Sequence, residues 1–136
     1  MQCPRCQAEL TPRQEFHGIE VDFCPSCEGR WLDLGELDQL EATVESTPDE
    51  RRATIRYSER PSELHCPVCG QAMTAFDYRA YNLELDACDE HGYWLDAGEE
   101  GRVREIIAQR VRDLTRAHHA EDAWAGFLGS LRKRLR

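Results

Sequence analysis

The chain has no long apolar run. Its longest mostly apolar stretch, Ala123 to Leu131, falls far short of the roughly 20 residues a helix needs to cross a bilayer. It also lacks the marks of a catalyst: no glycine-rich phosphate loop, no nucleophile with a base beside it, and no convincing carboxylate pair. An enzyme is therefore not expected. Basic residues are scarce where a nucleic-acid binder would need them. Residues 1–98 hold 20 Asp and Glu against 8 Lys and Arg, and no basic stripe crosses this acidic part. Such a field repels phosphate backbones. Only residues 99–136 reverse the balance, with 9 Lys and Arg against 6 Asp and Glu.

Cysteine is not scarce. Seven cysteines and one histidine form four knuckles, Cys3-Pro4-Arg5-Cys6, Cys24-Pro25-Ser26-Cys27, Cys66-Pro67-Val68-Cys69 and Cys88-Asp89-Glu90-His91. Two residues separate the members of every knuckle; 17 residues lie between Cys6 and Cys24, and 18 between Cys69 and Cys88. This is the spacing of two tetrahedral metal sites, one with four cysteines and one with three cysteines and a histidine. His91 thereby accounts for the odd cysteine count. His65 is a rival to His91, but it adjoins Cys66 and would distort the third knuckle. Two Zn2+ ions are expected, with iron the competitor at the four-cysteine site. Four protein ligands per site leave no open position for water, so the sites read as structural. Paired free thiols suit a reducing compartment, and no signal peptide precedes Cys3, so a soluble cytoplasmic protein is expected.

The two halves match beyond the knuckles. Both carry Gly-x-Trp-Leu-Asp-x-Gly-Glu, beginning at Gly29 and at Gly92, with one residue fewer between the last ligand and the tryptophan in the second half. A duplication follows. Between knuckles, Ile19, Val21 and Phe23 alternate with acids, as do Leu83, Leu85 and Ala87, which predicts a hairpin in each half turning at His17-Gly18 and Ala80-Tyr81-Asn82. Trp31 and Trp94 are expected to pack over the sulfurs. Asp33 to Glu36 and Asp96 to Glu99 fit capping boxes. The first predicts a helix over 34–44. The second predicts a longer one through Val103, Ile107 and Leu114, broken near His118-His119, before a final amphipathic segment with Trp124, Phe127, Leu128, Leu131 and Leu135.

The expected fold is thus a small α+β, metal-stabilised one: two tandem zinc ribbons, each a β-hairpin plus knuckles followed by a helix, and a long C-terminal helical tail. The divisions are a ribbon and helix at 1–44, a linker at 45–62, a second ribbon at 63–100 and the amphipathic tail at 101–136. Each ribbon, at about forty residues, is too small to hold together on an apolar core alone and is expected to unfold without its metal.

The run Cys-Pro-x-Cys, hairpin, Cys-Pro-x-Cys-x-Gly-x-Trp-Leu-Asp-x-Gly-Glu-Leu resembles the TFIIB-type zinc-ribbon family of small bacterial proteins. Residues 1–40 carry the pattern in full. Residues 64–100 carry it more loosely, with His91 where the family has cysteine and Glu100 in place of the leucine. The resemblance implies a ribbon fold and zinc ligation by Cys3, Cys6, Cys24, Cys27, Cys66, Cys69 and Cys88; His91 joins them on spacing. For function, the leading expectation is a non-enzymatic protein-interaction or regulatory module whose C-terminal helices engage a protein partner or a second copy. The alternatives are a transcription-associated nucleic-acid binder and a redox or metal sensor.

Overall fold

Each repeat builds an antiparallel ribbon, and the two ribbons join edge to edge. The computed structural model describes residues 1–16, 18–44, 46–51 and 55–134; of residues 49, 50, 133 and 134 only the backbone element is described. The first repeat supplies β1 (Thr11–Glu15), β2 (Ile19–Phe23), β3 (Arg30–Asp33) and α1 (Leu34–Ala42). A short α2 (Pro48–Arg51) and β4 (Arg56–His65) lead to the second repeat, which supplies β5 (Ala72–Tyr78), β6 (Glu84–Cys88), β7 (Gly92–Leu95) and α3 (Glu99–Arg134). All seven strands form one antiparallel sheet in the order β1-β2-β3-β7-β6-β5-β4. The fold is mixed α+β, as the sequence predicts.

The seam is the β3–β7 pair, where Trp31 lies opposite Trp94 and Leu32 opposite Tyr93. The two tryptophans are matching positions of the duplication, so the repeats meet about a local two-fold at this pair. Neither strand is legible in the sequence. Each is four residues long, too short for a period-two signal, and its partner lies in the other repeat.

Three expectations change. The stretch 45–62 is more than a linker, since it contains α2 and the first seven of the ten residues of β4. The strand was hidden because its residues are mostly polar. It is an edge strand held by its antiparallel ladder to β5, with exposed cross-strand ion pairs from Arg60 Nη2 to Asp77 at 3.1 Å and Glu84 at 2.7 Å beside it. Its Pro61 is tolerated because an edge leaves one row of amides unpaired. The break near His118-His119 is absent, and α3 is one helix. Ala117-His118-His119-Ala120 contains no proline or glycine to stop it. The first helix ends at Ala42, before Val44, where Thr43 caps it by donating its hydroxyl to the Leu40 carbonyl at 2.7 Å. The hairpin turn at His17 lies outside the described residues except for Gly18, as do positions 45, 52–54, Leu135 and Arg136.

One core serves both repeats. Val21, Leu32 and Leu40 from the first pack with Phe76, Leu85, Leu95, Val103 and Ile107 from the second. A buried ion pair crosses the same boundary. Arg79 Nη2 donates to Glu41 at 2.6 Å, the Tyr78 hydroxyl donates to the same carboxylate at 2.6 Å, and the two charged side chains are 1% and 5% exposed. Breaking such a pair leaves a buried charge unmatched. Glu41→Ala is therefore expected to cost about 3–5 kcal/mol in urea unfolding of the full chain.

Candidate metal centres

The knuckles take their shape from the backbone. In the first three, the amide of the first cysteine donates to the carbonyl five residues on, from Cys3 to Ala8 (2.8 Å), from Cys24 to Gly29 (2.9 Å) and from Cys66 to Gln71 (2.8 Å). The residue four beyond each first cysteine turns left-handed, at Gln7 (φ 61°), Glu28 (φ 63°) and Gly70 (φ 75°). The chain thereby curls around the sulfurs and points amides at them, as with Arg5 N to Cys3 Sγ (3.4 Å) and Val68 N to Cys66 Sγ (3.3 Å). The fourth knuckle is tighter. It lacks the proline and closes with His91 N donating to the Cys88 carbonyl at 3.2 Å, which accounts for the missing residue before Trp94.

All eight predicted residues come together in the predicted groups. Cys3, Cys6, Cys24 and Cys27 form one; Cys66, Cys69, Cys88 and His91 form the other. In each group the donor atoms lie within 4.8 Å of one another. A tetrahedral zinc with Zn–S about 2.3 Å sets sulfurs roughly 3.8 Å apart. The Cys3–Cys27 and Cys6–Cys24 sulfurs are 3.6 and 3.4 Å apart, and the Cys69–Cys88 pair is at 3.9 Å. His91 turns Nδ1 inward, 3.5 Å from Cys88 Sγ and 3.8 Å from Cys66 Sγ. The donor sets fit a tetrahedral thiophilic cation such as zinc. His65 is exposed and belongs to neither group.

Each group has a buried and an exposed side. Burial pushes the Cys3 thiol up to about 12 and the Cys66 thiol up to about 11. The exposed Cys6 is lowered to about 6, chiefly by the Ala8 amide. A cation is what would hold the inner sulfurs as thiolates, so its capture releases protons and weakens as pH falls.

The two groups share one hydrophobic cluster. Cys3, Cys24 and Cys66 pack with Leu10, Trp31, Met73 and Trp94, both tryptophans being fully buried as the sequence predicts. A contact that sequence reading missed adds to this. Arg5, inside the first knuckle, makes a two-pronged ion pair with Asp96 at 2.6 and 2.7 Å. Asp96 also accepts from Trp94 Nε1 at 3.0 Å. Burial opposes its charge, yet Arg5 and Trp94 hold its carboxyl below the usual range. The two Asp-x-Gly-Glu motifs are thus used differently. Asp33 makes a full capping box with Glu36, whereas Asp96 spends its carboxylate on Arg5 and Trp94 and leaves only the Glu99 half, at 2.7 Å. Burial pushes Glu99 up to about 7. Asp86, one of the acids that alternate with Leu83, Leu85 and Ala87, is buried and accepts from the Ser62 hydroxyl at 2.6 Å.

No described helix is long and apolar enough to cross a membrane. No curated protein and no solved structure matches the chain. Residues 2–43 match a family model, the transcription factor zinc-finger of the TFIIB-type zinc ribbon, over 42 of the 136 residues. The matched stretch is the first repeat, and the second sets three cysteines and a histidine in the corresponding place.

Proposed function

We propose that this chain is a non-enzymatic scaffold in which two structural zinc ions brace a shared sheet that presents the far end of α3 to a protein partner. Cys3, Cys6, Cys24 and Cys27 hold the first ion, and Cys66, Cys69, Cys88 and His91 the second. Each ion supplies positive charge that keeps four donors together and does no chemistry on a substrate, because four protein donors close its coordination. The observation that carries the reading is the contrast between the two ends of α3. Val103, Ile106 and Ile107 are buried in the shared core, while Trp124 is 60% and Phe127 52% exposed. A helix that stays amphipathic beyond its own core is built to be covered by something else.

Metal analysis of the full chain is expected to return two zinc ions; iron in place of one would move the four-cysteine site to iron. The interaction reading is tested by affinity capture with the full chain and with Phe127→Glu. Proteins retained by the first and lost from the second support it; identical sets on both, from a full chain that is itself monomeric, overturn it.

A second reading, binding of nucleic acid, is favoured by the description of the family model that matches residues 2–43. The acidic balance of residues 1–98 opposes it. Sequence-specific DNA or RNA binding that survives about 150 mM salt would reverse the ranking.

A further inference from the structure

We propose that the far end of α3 pairs antiparallel with the same segment of a second copy of this chain. The inference rests on the reading of α3 as the docking element and names its occupant. From Thr115 to Arg132 the large apolar side chains fall on a single stripe, which Ala117 and Ala120 begin and Trp124, Phe127, Leu128 and Leu131 continue, at steps of three and four. Steps of this kind keep the stripe on one face, the seam that two paired helices bury. Trp124 and Phe127 already touch, with ring centroids 5.5 Å apart, so the bulk of the stripe is preassembled.

Charge selects the partner and its direction. Glu121 and Arg132 are exposed and stand eleven residues apart, about three turns, so they lie on the same flank of the stripe. In an antiparallel pair the same flanks of the two helices face each other. With Phe127 set against Leu128 of the other copy, Trp124 meets Leu131, and Glu121 of each copy comes within a turn of Arg132 of the other. The symmetry makes this favourable contact twice. A parallel pair does the opposite, since it lays the run Arg132-Lys133-Arg134 of one copy beside the same run of the other. An anionic lipid surface would also take the basic run and the aromatic side chains. It would do so against the excess of acid carried by residues 1–98, which an antiparallel pair of helices keeps at its two far ends. The seam from Ala117 to Arg132 is about 24 Å long, short for an interface between two proteins, so the dimer is weak and forms only at high chain concentration.

Sedimentation equilibrium of the zinc-loaded full chain tests this. The wild type is expected to double in mass with concentration. Glu121→Arg sets like charges together and is expected to weaken the dimer about tenfold; adding Arg132→Glu restores it. A chain that stays monomeric throughout overturns the self-pairing, and a dimer indifferent to Glu121→Arg overturns the antiparallel arrangement. Monomeric binding to phosphatidylserine–phosphatidylcholine vesicles, lost in Phe127→Glu, makes lipid the occupant and also overturns it. A monomeric wild type whose captured proteins are lost on Phe127→Glu leaves the docking reading standing while self-pairing falls. If capture is unchanged as well, both fall.

Discussion

Removing the metal from either group is expected to unfold both repeats together. The sequence predicts two units, each falling with its own ion. The structure couples them. Cys3, Cys24 and Cys66 share a cluster with Trp31 and Trp94, the β3–β7 ladder joins the ribbons, and Arg5 of the first knuckle holds Asp96 of the second repeat. A structural zinc contributes about 10–16 kcal/mol of apparent binding energy in small finger peptides. Ordinary domains are stable by only about 5–15 kcal/mol, so the loss of one ion is enough to consume the whole margin. Cys24→Ser, in the first repeat, is thus expected to erase the near-ultraviolet signal of Trp94 as well as that of Trp31. Variants that keep only Trp31 or only Trp94, with the other two tryptophans, Trp124 included, replaced by phenylalanine, read the two sites separately. A second ribbon that stays ordered in Cys24→Ser would show that the seam is weaker than its contacts imply. Lowering the pH is expected to act in the same direction, because protons compete with the ion for the buried Cys3 and Cys66 sulfurs, which burial raises to about 12 and about 11.

The second large effect is expected at a glycine. Gly92 has φ 152°, and a Cβ there would stand 2.2 Å from the Leu32 carbonyl oxygen and 2.8 Å from Asp33 Cα. Both are backbone atoms of the opposing strand and cannot turn aside. Gly92→Ala must therefore push β7 away from β3 or abandon its backbone conformation. The expected loss is at least about 3 kcal/mol, from overpacking and left-handed strain together. The matching Gly29 is constrained by a different neighbour, since its Cβ would stand 2.2 Å from Cζ2 of the fully buried Trp94. Gly101 in α3 provides the contrast. Nothing lies within 4 Å of its missing Cβ, and Gly101→Ala is expected to gain about 0.5–1 kcal/mol from helix propensity. Urea midpoints of the zinc-loaded Gly92→Ala and Gly101→Ala variants against the wild type check the order. If Gly92→Ala unfolds at the wild-type midpoint, the close seam is wrong.

The glycine that opens both copies of the repeated motif shows where sequence reading stops. Its recurrence before each tryptophan is plain in the chain, but its reason lies across the seam in the other repeat. The same holds for Asp96. The motif it shares with Asp33 predicts a cap, yet the carboxylate is drawn to Arg5, which is 91 residues away. β3 and β7 were hidden because four-residue strands carry no readable period, and β4 because its residues are mostly polar and its backbone pairing with β5 leaves no pattern in the chain.

What the sequence determined by itself was local. Two-residue spacing within a knuckle sets which donors can share one ion, because a short loop leaves the chain few ways to place two sulfurs. Alternation sets the hairpins, and three- and four-residue steps set the helices, because side-chain direction follows backbone period. What only the tertiary structure decided was non-local. It joined two ribbons through Trp31 and Trp94 into one sheet, gave them one core, and used the near end of α3 to close that core while leaving Trp124 and Phe127 uncovered. The physical reason is that burial and strand pairing depend on which surfaces meet, and residues far apart in the chain supply the two sides of each contact.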